Sequence, residues 1–249
     1  SDIPSKNLLF FKNVLGSSNN KTYGDDNQLF RADGVVVINT NGKVVHKQDF
    51  TDLFYANGME ALIYGVGGLE VDPYHINSVY VAENNIPNNG ILKGDLLVSL
   101  RHRSMLLIYR PSNKKVIWHQ IGPWINQHSA KFDKKGNIYV FNNNVVDTHN
   151  NRTSETAAYL QKSGNQILYY NFSTQQVEVK FPQCMPAKDV QTKTGGYLEV
   201  SEEQIIMFFS NSGILTLCDP NTLEKHYIAL FDGNLIKRDL NLLQHRDSQ

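Results

Sequence analysis

"SMLLIYRPSNKKVIWHQIG", residues 104–122, decides the fold class. A run of Met, Leu, Ile and Tyr stops at Arg110 and Pro111, a polar segment follows, and a second run returns with Val116, Ile117 and Trp118. Branched and aromatic side chains suit a pleated, half-buried surface, so two such runs around a polar break predict a β-hairpin. The same pattern recurs in "GVVVINTNGKVVHKQDF" (34–50), "NQILYYNFSTQQVEVKF" (165–181) and "GILTLCDPNTLEKHYIALF" (213–231). Three of these hairpins follow a further pair of runs: "INSVYVAE" with "GDLLVSL", "HSAKFD" with "GNIYVFNN", and "YLEVSEE" with "QIIMFFS". Each of the three groups therefore supplies four antiparallel strands in succession.

A unit of four strands cannot cover its own faces, and recurring units stack to do so. The chain is thus predicted to be all-β, a single domain over 1–249 built as a β-propeller of four-stranded antiparallel blades. A β-sandwich is the rival architecture. Four blades are legible. Residues 8–30 and those after Asp232 are expected to complete or close another, with the first thirty or so partly irregular otherwise. One stretch, "QDFTDLFYANGMEALIYGV" (48–66), has the spacing of a helix, interrupted at Gly58.

Composition narrows the function. Among 249 residues, 24 Lys and Arg balance 24 Asp and Glu, so no overall field favours nucleic acid or anionic lipid. No apolar run nears the ~20 residues that span a bilayer as a helix. The first twenty residues lack a basic start, a long apolar stretch and a cleavage site, and do not read as a signal peptide. Cys184 and Cys218 are either a pair formed in an oxidising compartment or two buried thiols. "GVGGLE" (65–70) has no helix after it to make a dinucleotide loop, and "DKKGN" (133–137) reads as a hairpin turn. There is no nucleophile elbow and no zinc-spaced Cys or His motif.

The candidate chemistry lies in "DPYHINSVYV" (72–81), "LLVSLRHRSML" (96–106) and "NQHSAKF" (126–132). Residues two apart on a strand share a face, so His75 is expected to point with Asn77, Ser99 with Arg101 and Arg103, and His128 with Ala130 and Phe132. If the first and third stretches open neighbouring blades, His75 and His128 lie on innermost strands and Arg101 lies close by. Two imidazoles, a carboxamide and a guanidinium would then converge on a channel. That set suits a tetrahedral oxyanion: Arg offers a planar donor fork, Asn a neutral donor, and His a donor or a nucleophile. Taken singly, each has an ordinary reading as a strand-end or solvated polar residue, and Asn142–Asn144 read first as a turn.

The ordered set "HINSV" (75–79), "GDLLVSLRHRS" (94–104), "VIWHQIG" (116–122) and "QHSAKFDKKGNIYVFNNN" (127–144) resembles the arylsulfotransferases, bacterial enzymes that move sulfuryl groups between phenols without a nucleotide donor. "GGYLEVSEEQIIMFFSNSGILTLCDPNTLE" (195–224) is similar to the family's C-terminal blade. The resemblance implies a propeller of six blades, with five as the alternative, and a site in its central channel. It implies that His128 is the nucleophile that transiently holds the sulfuryl group, and that His75, Asn77 and Arg101 bind the sulfate oxygens. Arg103 and Asn142 are secondary ligand-binding candidates. It also implies an aryl sulfate or other oxyanion as the small-molecule partner, no metal or organic cofactor, and a periplasmic or secreted location.

Two features depart from the family pattern. Nothing in residues 1–70 matches a further family histidine, because His46 falls in a hairpin where it should lie on an outer strand. The F-D-N expected after the nucleophile strand reads "FNNN", which puts Asn142 where an acid is expected. These departures keep two other functions open: a propeller that binds an anion without turnover, and a protein-interaction scaffold.

Overall fold

The computed structural model describes residues 9–12, 20–23, 28–64, 68, 70–147, 159–161 and 163–229. The chain divides into two compact units, residues 1–122 and 123–249. The strands expected after Asp232 fall outside the described residues.

The first unit runs β1 (Leu9–Lys12), β2 (Asn20–Tyr23), β3 (Gln28–Arg31), β4 (Gly34–Ile38), β5 (Val44–Asp49), two short helices α1 (Phe50–Ala56) and α2 (Ala61–Tyr64), then β6 (Ile76–Val81), β7 (Leu96–Leu100), β8 (Met105–Arg110) and β9 (Lys115–Ile121). β6 to β9 form one four-stranded antiparallel sheet in chain order. β1, β4 and β5 form a three-stranded sheet with β5 at its edge, and β2 pairs with β3. The helix predicted over 48–66 is present as two pieces. Asp49 caps the first, accepting from the backbone N–H of Thr51 at 2.8 Å, and Gly58, with φ of 66°, follows its end.

α1 seals this unit. Phe50, Leu53 and Phe54 are fully buried and pack with Tyr74, Leu100, Met105, Leu107 and Tyr109 in one cluster. Each such side chain withdrawn from water contributes about 1.5–3 kcal/mol. Buried Asp33 ties the sheets at the point that matters for the site: its carboxylate accepts from the N–H of Ile76, the first residue of β6, at 2.8 Å.

The second unit runs β10 (His128–Phe132), β11 (Ile138–Asn142), β12 (Val145–Asp147), β13 (Tyr159–Gln161), β14 (Gln166–Asn171), β15 (Gln176–Lys180), β16 (Tyr197–Val200), β17 (Ile205–Phe209), β18 (Ile214–Cys218) and β19 (Lys225–Ala229). It holds two four-stranded antiparallel sheets, β10-β11-β14-β15 and β16-β17-β18-β19, and the pair β12-β13. The three groups of four runs read from the sequence are thus three antiparallel four-stranded sheets.

Two devices join the sheets of this unit. Ser129 Oγ accepts from Leu198 N at 3.0 Å and donates to Leu198 O at 3.2 Å, so one β10 side chain pairs with the β16 backbone as a strand would. Cys184, after β15, is bonded to Cys218 on β18, with Cα atoms 5.7 Å apart. Phe141, Met207 and Phe209 fill the space beside the bond. Gly196, at φ of 119°, makes room for the Phe141 ring, since a Cβ there would lie 2.5 Å from it.

The crosslink closes a loop of 34 residues, so Cys184→Ser/Cys218→Ser is expected to lower the stability of this unit by about 2–4 kcal/mol. A urea melt of oxidised, reduced and double-serine protein checks this: reduced and double-serine forms should unfold together at lower urea, and coincident curves for all three would contradict it.

Candidate functional site

Neither candidate histidine sits within regular strand. His75 precedes β6 with a left-handed φ of 46°, and the β6–β7 register slips between Ile76 and Ser78, placing Asn77 at a bulge. His128 opens β10, and the slip there falls between His128 and Ala130, with Ser129 at φ of 46°. Period-two alternation therefore fails at both places, because a bulge puts two residues opposite one and re-aims the side chains around it. The expected sharing of a face by His75 with Asn77, and by His128 with Ala130, is corrected on this ground. The alternation Ser99, Arg101, Arg103 is corrected too: β7 stops at Leu100, and Arg101–Arg103 form a 3-10 turn.

In the first unit that turn folds onto the segment before β6. Arg101 N donates to His75 O at 3.0 Å and His102 N to Tyr74 O at 3.3 Å, which brings His75, Arg101 and His102 together. Arg101 is buried, at 6 % exposure. Asp72, from the Asp-Pro pair, lies beneath both imidazoles. Its Oδ2 is 2.5 Å from His75 Nδ1, its backbone carbonyl is 2.7 Å from His102 Nδ1, and Arg31 Nη1 reaches Oδ2 at 3.2 Å. The two rings stack, centroids 4.5 Å apart. Burial raises the Asp72 pKa, but its hydrogen bond to His75 and the surrounding cationic groups outweigh that and hold it near 2. Burial depresses the His102 pKa.

Arg103 is committed elsewhere. Its guanidinium donates to the carbonyls of Leu62 at 2.6 Å and Ile63 at 3.4 Å, and reaches Glu70 at 3.5 Å, so it clamps α2 to the turn. His46 lies on edge strand β5, as its sequence position predicts, beside the Tyr109 hydroxyl at 3.1 Å.

In the second unit His128 Nδ1 is 2.7 Å from Asn143 Oδ1. The Asn143 amide has a fixed sense: its Nδ2 donates to the carbonyls of Gly195 at 2.8 Å and Thr192 at 3.3 Å, and a carbonyl can only accept. Oδ1 therefore faces His128 as an acceptor and Nδ1 must carry the proton. In the neutral ring the lone pair then belongs to Nε2. Asn165 backs this arrangement, donating to Asn143 O at 3.0 Å and Thr192 O at 2.8 Å while accepting from Thr192 N.

Asn142–Asn144 and the following residues read in sequence as an exposed turn, yet Asn142, Asn143 and Asn144 are buried. Val145–Asp147 then form β12, and residues 148–156 lie outside the described residues. Asn142 Oδ1 accepts from Ile125 N at 2.8 Å and Asn144 N at 3.2 Å, while its Nδ2 donates to Gln166. An aspartate could accept the same two backbone hydrogens but could not donate to Gln166. Asn143 was missed in the sequence because its role depends on carbonyls about fifty residues away. The one local signal was its place at the last position of the F-D-N pattern.

These features define an all-β protein of antiparallel four-stranded sheets that carries oriented imidazoles at strand starts. The chain matches the family described as "Arylsulfotransferase (ASST)" over residues 4–223, and it belongs to that family. No curated protein matches the chain. Among solved structures it is similar to a protein of unknown function from Bacteroides caccae, with 13 % identity, 88 % of this chain and 72 % of that one covered, and a TM-score of 0.48. A putative exported protein from Bacteroides fragilis shares 12 % identity over 92 % of this chain and 78 % of that one, with a TM-score of 0.30.

The two asparagines should respond differently to the acid. Asn142→Asp keeps its two backbone contacts and gives up one donor, to a Gln166 side chain whose amide can turn to donate instead, so it is expected to cost less than Asn143→Asp, which loses the donor to two fixed carbonyls and should cost about 1–3 kcal/mol. Chemical denaturation of both variants measures the difference; equal midpoints would contradict the fixed sense of the Asn143 amide.

Proposed function

We propose that the protein transfers a sulfuryl group from an aryl sulfate ester to a phenolic acceptor through a covalent intermediate on His128. Membership of the arylsulfotransferase family supports the reaction class. The observation that carries the mechanism is the Asn143 contact that keeps the proton on His128 Nδ1.

Nε2 attacks sulfur in line with the aryl oxygen. The N–S bond forms as the S–O bond breaks, and the phenolate departs with the bonding pair. The sulfated ring retains its Nδ1 proton and is cationic, which makes the imidazole a good leaving group in the second step. The acceptor phenol oxygen then attacks sulfur, its proton passes to solvent, and the pair of the N–S bond returns to Nε2. Asn143 Oδ1 accepts from Nδ1 throughout and strengthens as the ring gains charge. A carboxylate in its place would stabilise a resident imidazolium and so withdraw the nucleophile; a carboxamide does not.

Within the first unit, His75, Asn77 and Arg101 are our candidates to bind the oxygens of an oxyanion. Buried Arg101 brings a permanent charge to a site of lowered dielectric, where an oxyanion contact is strongest. Arg103 and Asn142 brace the structure instead of binding ligand. We place the protein outside the cytoplasm, because the Cys184–Cys218 bond suits an oxidising compartment.

Sequence departures favour one second reading, an anion-binding module without turnover: nothing in residues 1–70 matches the further family histidine, and Asn142 stands where an acid is expected. Incubation with 4-nitrophenyl sulfate and a phenol separates the two. Transfer is expected to release nitrophenolate, to leave a sulfuryl adduct on His128 when acceptor is withheld, and to fall at least about a thousandfold in His128→Ala. Aryl sulfate binding that is lost in Arg101→Ala, with no adduct and no turnover, would instead establish the binding module.

A further inference from the structure

Resting on the reading of His75 and Arg101 as oxyanion groups, we propose that Asp72 is a positioning residue for His75. It turns Nε2 of that ring to the ligand, so that the first unit binds an oxyanion together with one proton at His75.

Asp72 reaches two imidazoles with two different acceptors. Its Oδ2 lies 2.5 Å from His75 Nδ1, and its backbone carbonyl lies 2.7 Å from His102 Nδ1. Neither acceptor can donate in return: a carbonyl never does, and a carboxyl held near 2 is ionised at neutral pH. Both rings therefore keep a proton on Nδ1, and Nε2 of each lies on the edge turned away from Asp72. The backbone fixes the same arrangement. His75 is held at a left-handed φ of 46° by the bond from Arg101 N to its carbonyl, and the two rings stack with centroids 4.5 Å apart. The His75 side chain is 29 % exposed, and its Nε2 makes no hydrogen bond among the described residues.

With one proton the His75 ring offers an oxyanion only the lone pair of Nε2, which repels it. With two it offers a charged N–H, the stronger kind of donor. The charges around the ring come from several elements. Asp72 and Arg31, from β3, meet at the Nδ1 edge, and His102 covers the ring face. Buried Arg101 follows in the turn, with the Arg103–Glu70 pair beyond it, and Asp33 holds the N–H of the next residue, Ile76. An anion drawn to this turn by Arg101 adds a negative charge at the Nε2 edge, where opposite charge within ~4–6 Å favours the protonated ring. Linkage makes the effect reciprocal, so the proton strengthens the anion as much as the anion strengthens the proton. Affinity is thus full where the ring is already protonated and is lost as pH rises and the proton must be supplied with the anion.

Titration calorimetry of the intact protein with sodium sulfate, at about pH 7.5 in two buffers of different ionisation enthalpy, reads the proton directly. Sulfate is expected to bind with uptake of up to one proton, and its affinity to fall by up to about tenfold per pH unit on the alkaline side. The uptake should vanish in His75→Gln and persist in His102→Gln, which keeps a donor for the Asp72 carbonyl; thermal melts show that the variants are folded. Long-range 1H–15N spectra of the rings test Asp72 without any anion. In Asp72→Ala His75 should lose its preference for the Nδ1 proton, while His102, whose acceptor is a backbone carbonyl that the substitution leaves in place, keeps its own. Sulfate binding without proton uptake, uptake that survives in His75→Gln, or an unchanged His75 ring in Asp72→Ala would overturn the proposal and leave the oxyanion reading standing. Absence of sulfate binding would overturn both.

Discussion

The Asn143 carboxamide is the constraint on which the second unit's chemistry rests. Its nitrogen is spent on the carbonyls of Thr192 and Gly195, so its oxygen has a single sense, and that sense decides which nitrogen of His128 keeps the proton. The two carbonyls are themselves held by Asn165 and by the Gly195–Gly196 bend that packs on Phe141. A proton position on one ring is thereby fixed by a buried network that runs from β11 through the loop before β16. Polar networks of this kind are costly when incomplete, which gives every member a reason to be where it is.

The strand pattern was legible because it depends on near neighbours. Alternating Val, Ile, Leu and Tyr between Asn, Gly and Pro breaks marked fourteen of the strands and four hairpin turns, and the antiparallel sheets follow that order. The histidines were legible as polar residues at strand starts. Their directions were not, because a period of two carries no information about a bulge. His75 and Ser129 adopt left-handed φ values that sequence alone would reserve for Gly or Asn, and both are over-determined by tertiary bonds: Arg101 N on the His75 carbonyl, and Leu198 on the Ser129 hydroxyl.

The same limit explains the residues that changed meaning. Arg103 reads as a candidate anion ligand, and its guanidinium donates to the carbonyls of Leu62 and Ile63 in α2. "FNNN" reads as a lost acid in an exposed turn and proves to be buried bracing. Asp72 and His102 stand thirty residues apart and meet only when the turn after β7 folds onto the loop before β6. Long-range hydrogen bonds made the difference in each case.

The two candidate imidazoles have different partners at Nδ1, a carboxylate for His75 and a carboxamide for His128, and the difference sorts their chemistry. A ring backed by a carboxylate is held in one orientation by a charged partner. A ring backed by an amide is suited to staying neutral and giving its lone pair to an electrophile. Long-range 1H–15N correlation spectra of the histidine rings at neutral pH read this most directly. His128 is expected to show a protonated Nδ1 and an unprotonated Nε2, and to lose that preference in Asn143→Ala; a proton on Nε2 in the native protein would contradict the account.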